Sequence, residues 1–179
     1  MEDEVPQKWP QDKDTFWETD PEYRDFAAML DELNAETDRG VVLVATAFID
    51  DLLGRVLAAF LIKNESAEML LSGFNAPLGA FATKIVACNA MGLITDEDRQ
   101  ECNFLRRIRN EFAHKVRASF LDTKIKDLCS NLTIGEHFRG TTTTARGQFT
   151  RASLALIVRL VNRPYSVRQR PLKYGEWKL

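Results

Sequence analysis

Phe104-Leu105-Arg106-Arg107-Ile108-Arg109-Asn110-Glu111-Phe112-Ala113-His114-Lys115-Val116 is the stretch on which the fold of this chain is read. With about 100° of rotation per residue, Leu105, Ile108, Phe112 and Val116 fall into one apolar stripe of a helix. Arg106, Asn110, His114 and Arg117 form a second stripe far round the cylinder, with Arg109 on its flank. Asn110 and His114 are i,i+4 neighbours, so one face gathers guanidinium, carboxamide and imidazole groups within reach of one another. The chain around it reads as a helical frame. Upstream, Thr95-Asp96-Glu97-Asp98 is a start signal of the capping-box type, with an acid three residues after the threonine and negative charge in the first turn.

The other segments repeat the helical period. Asp20-Pro21 opens a first helix running to about Ala35, with Phe26, Met29, Leu30 and Leu33 inward. Asp38-Arg39-Gly40 begins a long second helix. Val41, Val44, Ala45, Phe48, Leu52, Val56 and Ala59 form one face of it, and further apolar residues on other sides make it central. Lys63-Asn64-Glu65-Ser66 breaks the pattern before a short helix from Ala67 to Leu71. Asn75-Ala76-Pro77 is a helix entry leading to a third main helix that closes at Gly92, and Asp122 to Leu132 holds another short helix. Thr133 to Gly147 has no clear period and reads as a loop, and Phe149 to Val161 is a final amphipathic helix with Pro164 beyond its end. No segment alternates β-branched and polar residues. The expected fold is therefore an all-α antiparallel bundle of five to seven helices. An acidic, partly ordered arm (1–19) precedes a single helical domain (20–162), and a basic tail (163–179) follows it.

Composition narrows the function classes. The 179 residues suffice for one domain with a real core, and 45% hydrophobic with 28% charged residues is ordinary for a globular protein. The net charge of −2 conceals two opposite ends: residues 1–40 hold 13 acids and 4 bases, residues 145–179 hold 8 bases and 1 acid. The basic tail, with Tyr174 and Trp177, is a candidate for phosphate and base contact with nucleic acid. Cys88, Cys102 and Cys129 have no metal-ligand or disulfide spacing, and His114 and His137 are too few for a histidine-rich centre, so no metal or cofactor is expected. Gly40 to Ile62 is the longest apolar run. Asp50, Asp51 and Arg55 in its middle would each cost about 2.5 to 3.5 kcal/mol at bilayer depth, which argues against a membrane span. The acidic N-terminus lacks a secretory h-region, and a cytoplasmic location is expected.

Phosphate-loop, zinc-protease, nucleophile-elbow and dinucleotide motifs are missing from the sequence. What remains is Arg109-Asn110-Glu111-Phe112-Ala113-His114, which resembles the Arg-x4-His signature of HEPN-type helical domains. That resemblance implies a metal-independent RNA-cleaving site, often duplicated across a dimer. His114 would move the proton, Arg109 would stabilise charge on the phosphate, and Asn110 would position the substrate.

A longer resemblance covers roughly residues 22–160. Glu36-Thr37-Asp38-Arg39-Gly40, Phe48-Ile49-Asp50-Asp51-Leu52-Leu53, Gly79-Ala80-Phe81-Ala82-Thr83-Lys84-Ile85, Gly92-Leu93-Ile94 and Ile108-Arg109-Asn110-Glu111-Phe112-Ala113-His114, in that order, resemble the mannitol operon repressor (MltR) family. The resemblance implies an α-helical transcriptional regulator, repressor-like, of sugar-alcohol uptake genes. The chain departs from DNA-binding repressors in having no recognisable helix-turn-helix, so a homodimer or a protein partner is the implied route of action. Asp38, Arg39, Asp50, Arg106, Arg109, Asn110 and His114 are the candidate binding or interface residues. The architectural alternative stands beside these readings: Asn110 and His114 would bond a neighbouring helix, and the arginines would pair with Asp38, Asp50 or Asp51.

Overall fold

The long helix α1 (Asp38–Phe60) organises the molecule. In the computed structural model, residues 36–134 and 144–175 are described. The N-terminal arm, the expected helix over 20–35, most of the 133–147 loop and Trp177 lie outside the described residues. The α1 helix starts where Thr37 Oγ1 accepts from the Gly40 amide at 3.1 Å, with Asp38 in the first turn where negative charge suits the helix dipole. Val41, Ala45, Ile49, Leu52, Leu53, Val56 and Leu57 are all buried, on more than one side of the cylinder. The helix accordingly packs against α3 (Phe81–Ala90), α4 (Asp96–His114), α6 (Ala145–Val161) and α7 (Arg163–Arg168), and more lightly against the short helix over 65–71. With α2 (Glu65–Leu71) and α5 (Thr123–Cys129), seven helices and no strand occur among the described residues. The fold is an all-α helical bundle, and no described helix is long and apolar enough to cross a membrane.

Of the element boundaries that differ from the expectations, three matter most. Asn75-Ala76-Pro77 does not open a helix. Gly73 (φ 100°) and Asn75 (φ 63°) adopt left-handed backbone, Leu78 N–H bonds the Leu70 carbonyl, and α3 begins only at Phe81. The second difference is that α4 stops at His114, which leaves Val116 and Arg117 outside it. Lys115 turns to extended backbone (φ −102°, ψ 124°), and Arg39 Nη2 donates to the carbonyls of Lys115 and Val116, the latter at 2.9 Å. Val116, assigned to the apolar stripe, is therefore 90% exposed. The third is that α6 begins at Ala145 within the expected loop, because Thr144 Oγ1 caps the Gly147 amide at 3.1 Å. Beyond Val161, Pro164 occupies the first turn of α7, where its missing N–H costs nothing.

The registry of α4 is fixed over its first two turns. Thr95 Oγ1 accepts from Asp98 N–H and the Asp98 carboxylate accepts from Thr95 N–H, both at 3.1 Å. Asp98 is buried and also receives Arg159 at 3.1 Å, while the same guanidinium holds Glu97 at 2.9 Å. One turn on, the buried Glu101 Oε1 accepts from both Thr133 donors and from Ile134 N–H at 2.7 Å, tying the end of the 130–134 segment to α4. A buried carboxylate is retained only with such a set of donors. Cys88, Cys102 and Cys129 are buried free thiols. Burial pushes Cys88 and Cys129 up to about 12, and raises Cys102 with help from Asp98, so none is a reactive thiolate.

Candidate functional site

Arg106, Arg109 and Asn110 stand at i, i+3 and i+4, so once Leu105, Ile108 and Phe112 are seated in the core these three share a neighbouring face of α4. They meet the Asp50 side of α1 and the Gly79–Ala82 entry to α3 across a pocket of about 560 Å³. Small residues, Ala47 on α1 and Gly79, Ala80 and Ala82 at the α3 entry, leave this space open. The three segments lie far apart in sequence, and the packing of α1 against both α3 and α4 brings them together.

The charged groups of the pocket are differently engaged. Asp50 Oδ1 lies 2.9 Å from Lys84 Nζ, whose ammonium also reaches the Asp50 carbonyl at 3.4 Å. The pair is therefore locally neutral. Arg109 is exposed and donates from Nη1 to Asn110 Oδ1 at 3.3 Å, which turns the carboxamide oxygen toward the guanidinium. Arg106 is half-buried, and its Nε is buried with no hydrogen-bond partner among the described residues. Arg107 turns away and lies 5.9 Å from the centre of the Phe104 ring. Among the described residues neither Arg106 nor Arg109 forms an ion pair with a carboxylate. The aspartates named as their possible partners are taken elsewhere: Asp50 by Lys84, Asp51 by Arg55 at 2.7 Å, and Asp38 by Arg146. Pairing of the arginines with Asp38, Asp50 or Asp51 is thus corrected. The Asp51–Arg55 contact is an i,i+4 pair within α1, the spacing at which opposite charges on one helix face meet.

The seven candidate residues therefore fall into three places. Asp50, Arg106, Arg109 and Asn110 line the pocket. Asp38 and Arg39 sit in the first turn of α1. There Asp38 binds Arg146, which also donates to the Glu36 carbonyl at 3.0 Å, and Arg39 caps the C-terminal end of α4. His114 is exposed in the last turn of α4 and is not among the pocket residues. Two contributors were not singled out in the sequence. Lys84 neutralises Asp50 across 34 positions of chain. Glu111 bridges Lys115 at 2.8 Å and Lys124 at 2.6 Å, and these two hydrogen-bonded lysines hold its carboxyl down at about 2. The i,i+4 spacing to Lys115 was legible; the contact with Lys124 depends on how α5 docks on α4.

Chemically, the pocket offers two permanent positive charges, a carboxamide and a neutralised carboxylate. Guanidinium groups so placed recognise planar or tetrahedral oxyanions by charge-assisted hydrogen bonds. The lining of this pocket contains no histidine, cysteine or lysine.

The fold and pocket together define a class: an all-α bundle with a cationic recess between its central helix and two neighbours. Among solved structures, the chain is similar to the MtlR–HPr complex from Escherichia coli, at 18% identity, a TM-score of 0.56, and coverage of 79% of this chain and 97% of that one. The likeness is one of fold, and the bundle is MtlR-like. No family model and no curated protein matches the sequence.

Proposed function

We propose that this chain is a cytoplasmic regulatory protein of the mannitol-repressor type, repressor-like in its effect on transcription, which acts through a protein partner or as a homodimer. The observation that carries the reading is the fold likeness, which spans nearly the whole of the similar chain and whose solved example is a complex with the protein HPr. The ordered run of segments resembling the same family points the same way, and several of these segments, around Asp50, Gly79–Ala82 and Arg109-Asn110, line one pocket. No helix-turn-helix was recognised in the sequence, so the reading places the regulatory contact on a protein surface. The basic segment after residue 162 is an auxiliary phosphate-binding candidate.

Calorimetric titration of the purified chain with the HPr of its own cell tests this reading directly. A saturable interaction, together with altered transcription of a sugar-alcohol uptake operon when the gene is deleted, is the expected result. No association with HPr or any captured protein, combined with unchanged transcription, overturns it.

One observation favours a second reading, a HEPN-like endoribonuclease. Arg109 and His114 are both exposed on α4 and neither is held by a carboxylate among the described residues. Incubation with RNA in EDTA would then yield cleavage that His114→Ala abolishes. Cleavage that persists in the variant, or none in the native chain, removes this alternative.

A further inference from the structure

We propose that the recess between α1, α3 and α4 is a binding site for a small phosphate-bearing ligand, with Arg106 and Arg109 as its two charge-bearing contacts. The proposal is independent of the partner-binding reading and needs no contribution from His114. Three features of the recess support it.

The first is the charge balance. Asp50 is offset by Lys84, so the sign of the site is set by two guanidiniums that have no carboxylate partner among the described residues. Guanidiniums on one helix face at i,i+3 repel each other unless something negative lies between them. A phosphate monoester, with charge near −2 at neutral pH, matches two such groups better than a single carboxylate does.

The second is the buried Nε of Arg106, which has no hydrogen-bond partner among the described residues. A charged donor without an acceptor is costly, and a negative group beside the guanidinium lowers that cost. Asn110, its Oδ1 engaged by Arg109, retains its amide hydrogens for a ligand oxygen.

The third is the far wall of the pocket. Ala80 precedes the ten-residue helix α3 without any side-chain cap, so the amides of the first turn lack the acceptor that Thr37, Thr95 and Thr144 supply to α1, α4 and α6. Ala80, Phe81 and Ala82 line the same recess as the two arginines. An anion there gains from helix end and guanidiniums together. At about 560 Å³ the pocket has the size of a small-molecule site rather than that of a flat protein contact.

The test uses inorganic phosphate as the probe, with the full-length protein, by thermal shift and calorimetry against sodium chloride at matched ionic strength. The expected result is saturable binding in the millimolar range or tighter, beyond the chloride response. Arg106→Gln and Arg109→Gln should each weaken it by roughly tenfold or more, as loss of a charge-assisted hydrogen bond implies. Lys63→Gln, exposed and outside the recess, should leave it unchanged. Arg109 is exposed, so its variant keeps the test decisive if Arg106→Gln fails to fold. A phosphate response equal to that of chloride, or equal affinity in native protein and Arg109→Gln, overturns the proposal. So does binding of a glutamate-rich peptide without binding of phosphate, which would make the recess a docking surface.

Discussion

Glu111 shows how a single residue on the decisive helix is committed to structure rather than chemistry. Lys115 and Lys124 both hydrogen-bond its carboxylate and hold its pKa at about 2, below the ordinary 4.5. Because the folded value lies below the unfolded one, the contribution to stability is complete above about 4.5 and fades as the pH falls toward 2. Glu111→Gln should therefore lower the urea midpoint at neutral pH, and the difference from native protein should close as the medium is acidified through that window. A difference that is independent of pH would show that the two lysines do not act on the carboxylate. Arg106 is the opposite case. Its spacing in the sequence assigns it to a polar stripe, but only its surroundings show that the Nε is buried without a partner among the described residues.

At the scale of the element, α4 illustrates how a helix end is decided from outside. Its start was legible because the Thr95–Asp98 box is local, closed within four residues. Its end was not. Nothing between His114 and Arg117 breaks helical periodicity, and the apolar stripe read straight through to Val116. The stop is supplied by Arg39, 77 positions away from Val116, which takes up carbonyls that would otherwise be orphaned. Arg39→Ala should cost about 1 kcal/mol of stability by loss of these bonds. Hydrogen exchange at the amides of residues 111–116 should quicken relative to the rest of α4. Unchanged exchange there would assign the end of the helix to Lys115 backbone preference alone. The start of α3 teaches the same lesson. Pro77 looks like a helix entry, but left-handed Gly73 and Asn75 and the Leu78–Leu70 bond spend those residues on a turn.

For the whole molecule, the core is joined by aromatic rings as well as by α1. Phe112 on α4 lies 5.0 Å from Phe120 between ring centres, and Phe120 lies 5.7 Å from Phe149 on α6. Tilted rings at these distances add to the burial of large apolar surfaces. Phe112→Ala, at a fully buried position, should destabilise the protein by about 3 to 5 kcal/mol and lower the thermal midpoint accordingly. A loss below about 1 kcal/mol would show that the core collapses around the deletion.

Periodicity and caps are local properties of the chain, and from them the sequence alone determined an all-helical bundle, the central role of the 38–60 helix, the inward face Leu105-Ile108-Phe112 and the polar face that carries Arg106, Arg109 and Asn110. Tertiary packing decided which of those polar groups share a site. It brought Asp50 and the Gly79–Ala82 turn to the two arginines, gave Asp50 to Lys84 and Asp38 to Arg146, and left His114 on the exposed last turn. The physical reason is range. A helical stripe needs neighbours within four residues, whereas a pocket between three helices depends on crossing geometry and on small side chains that no local pattern encodes.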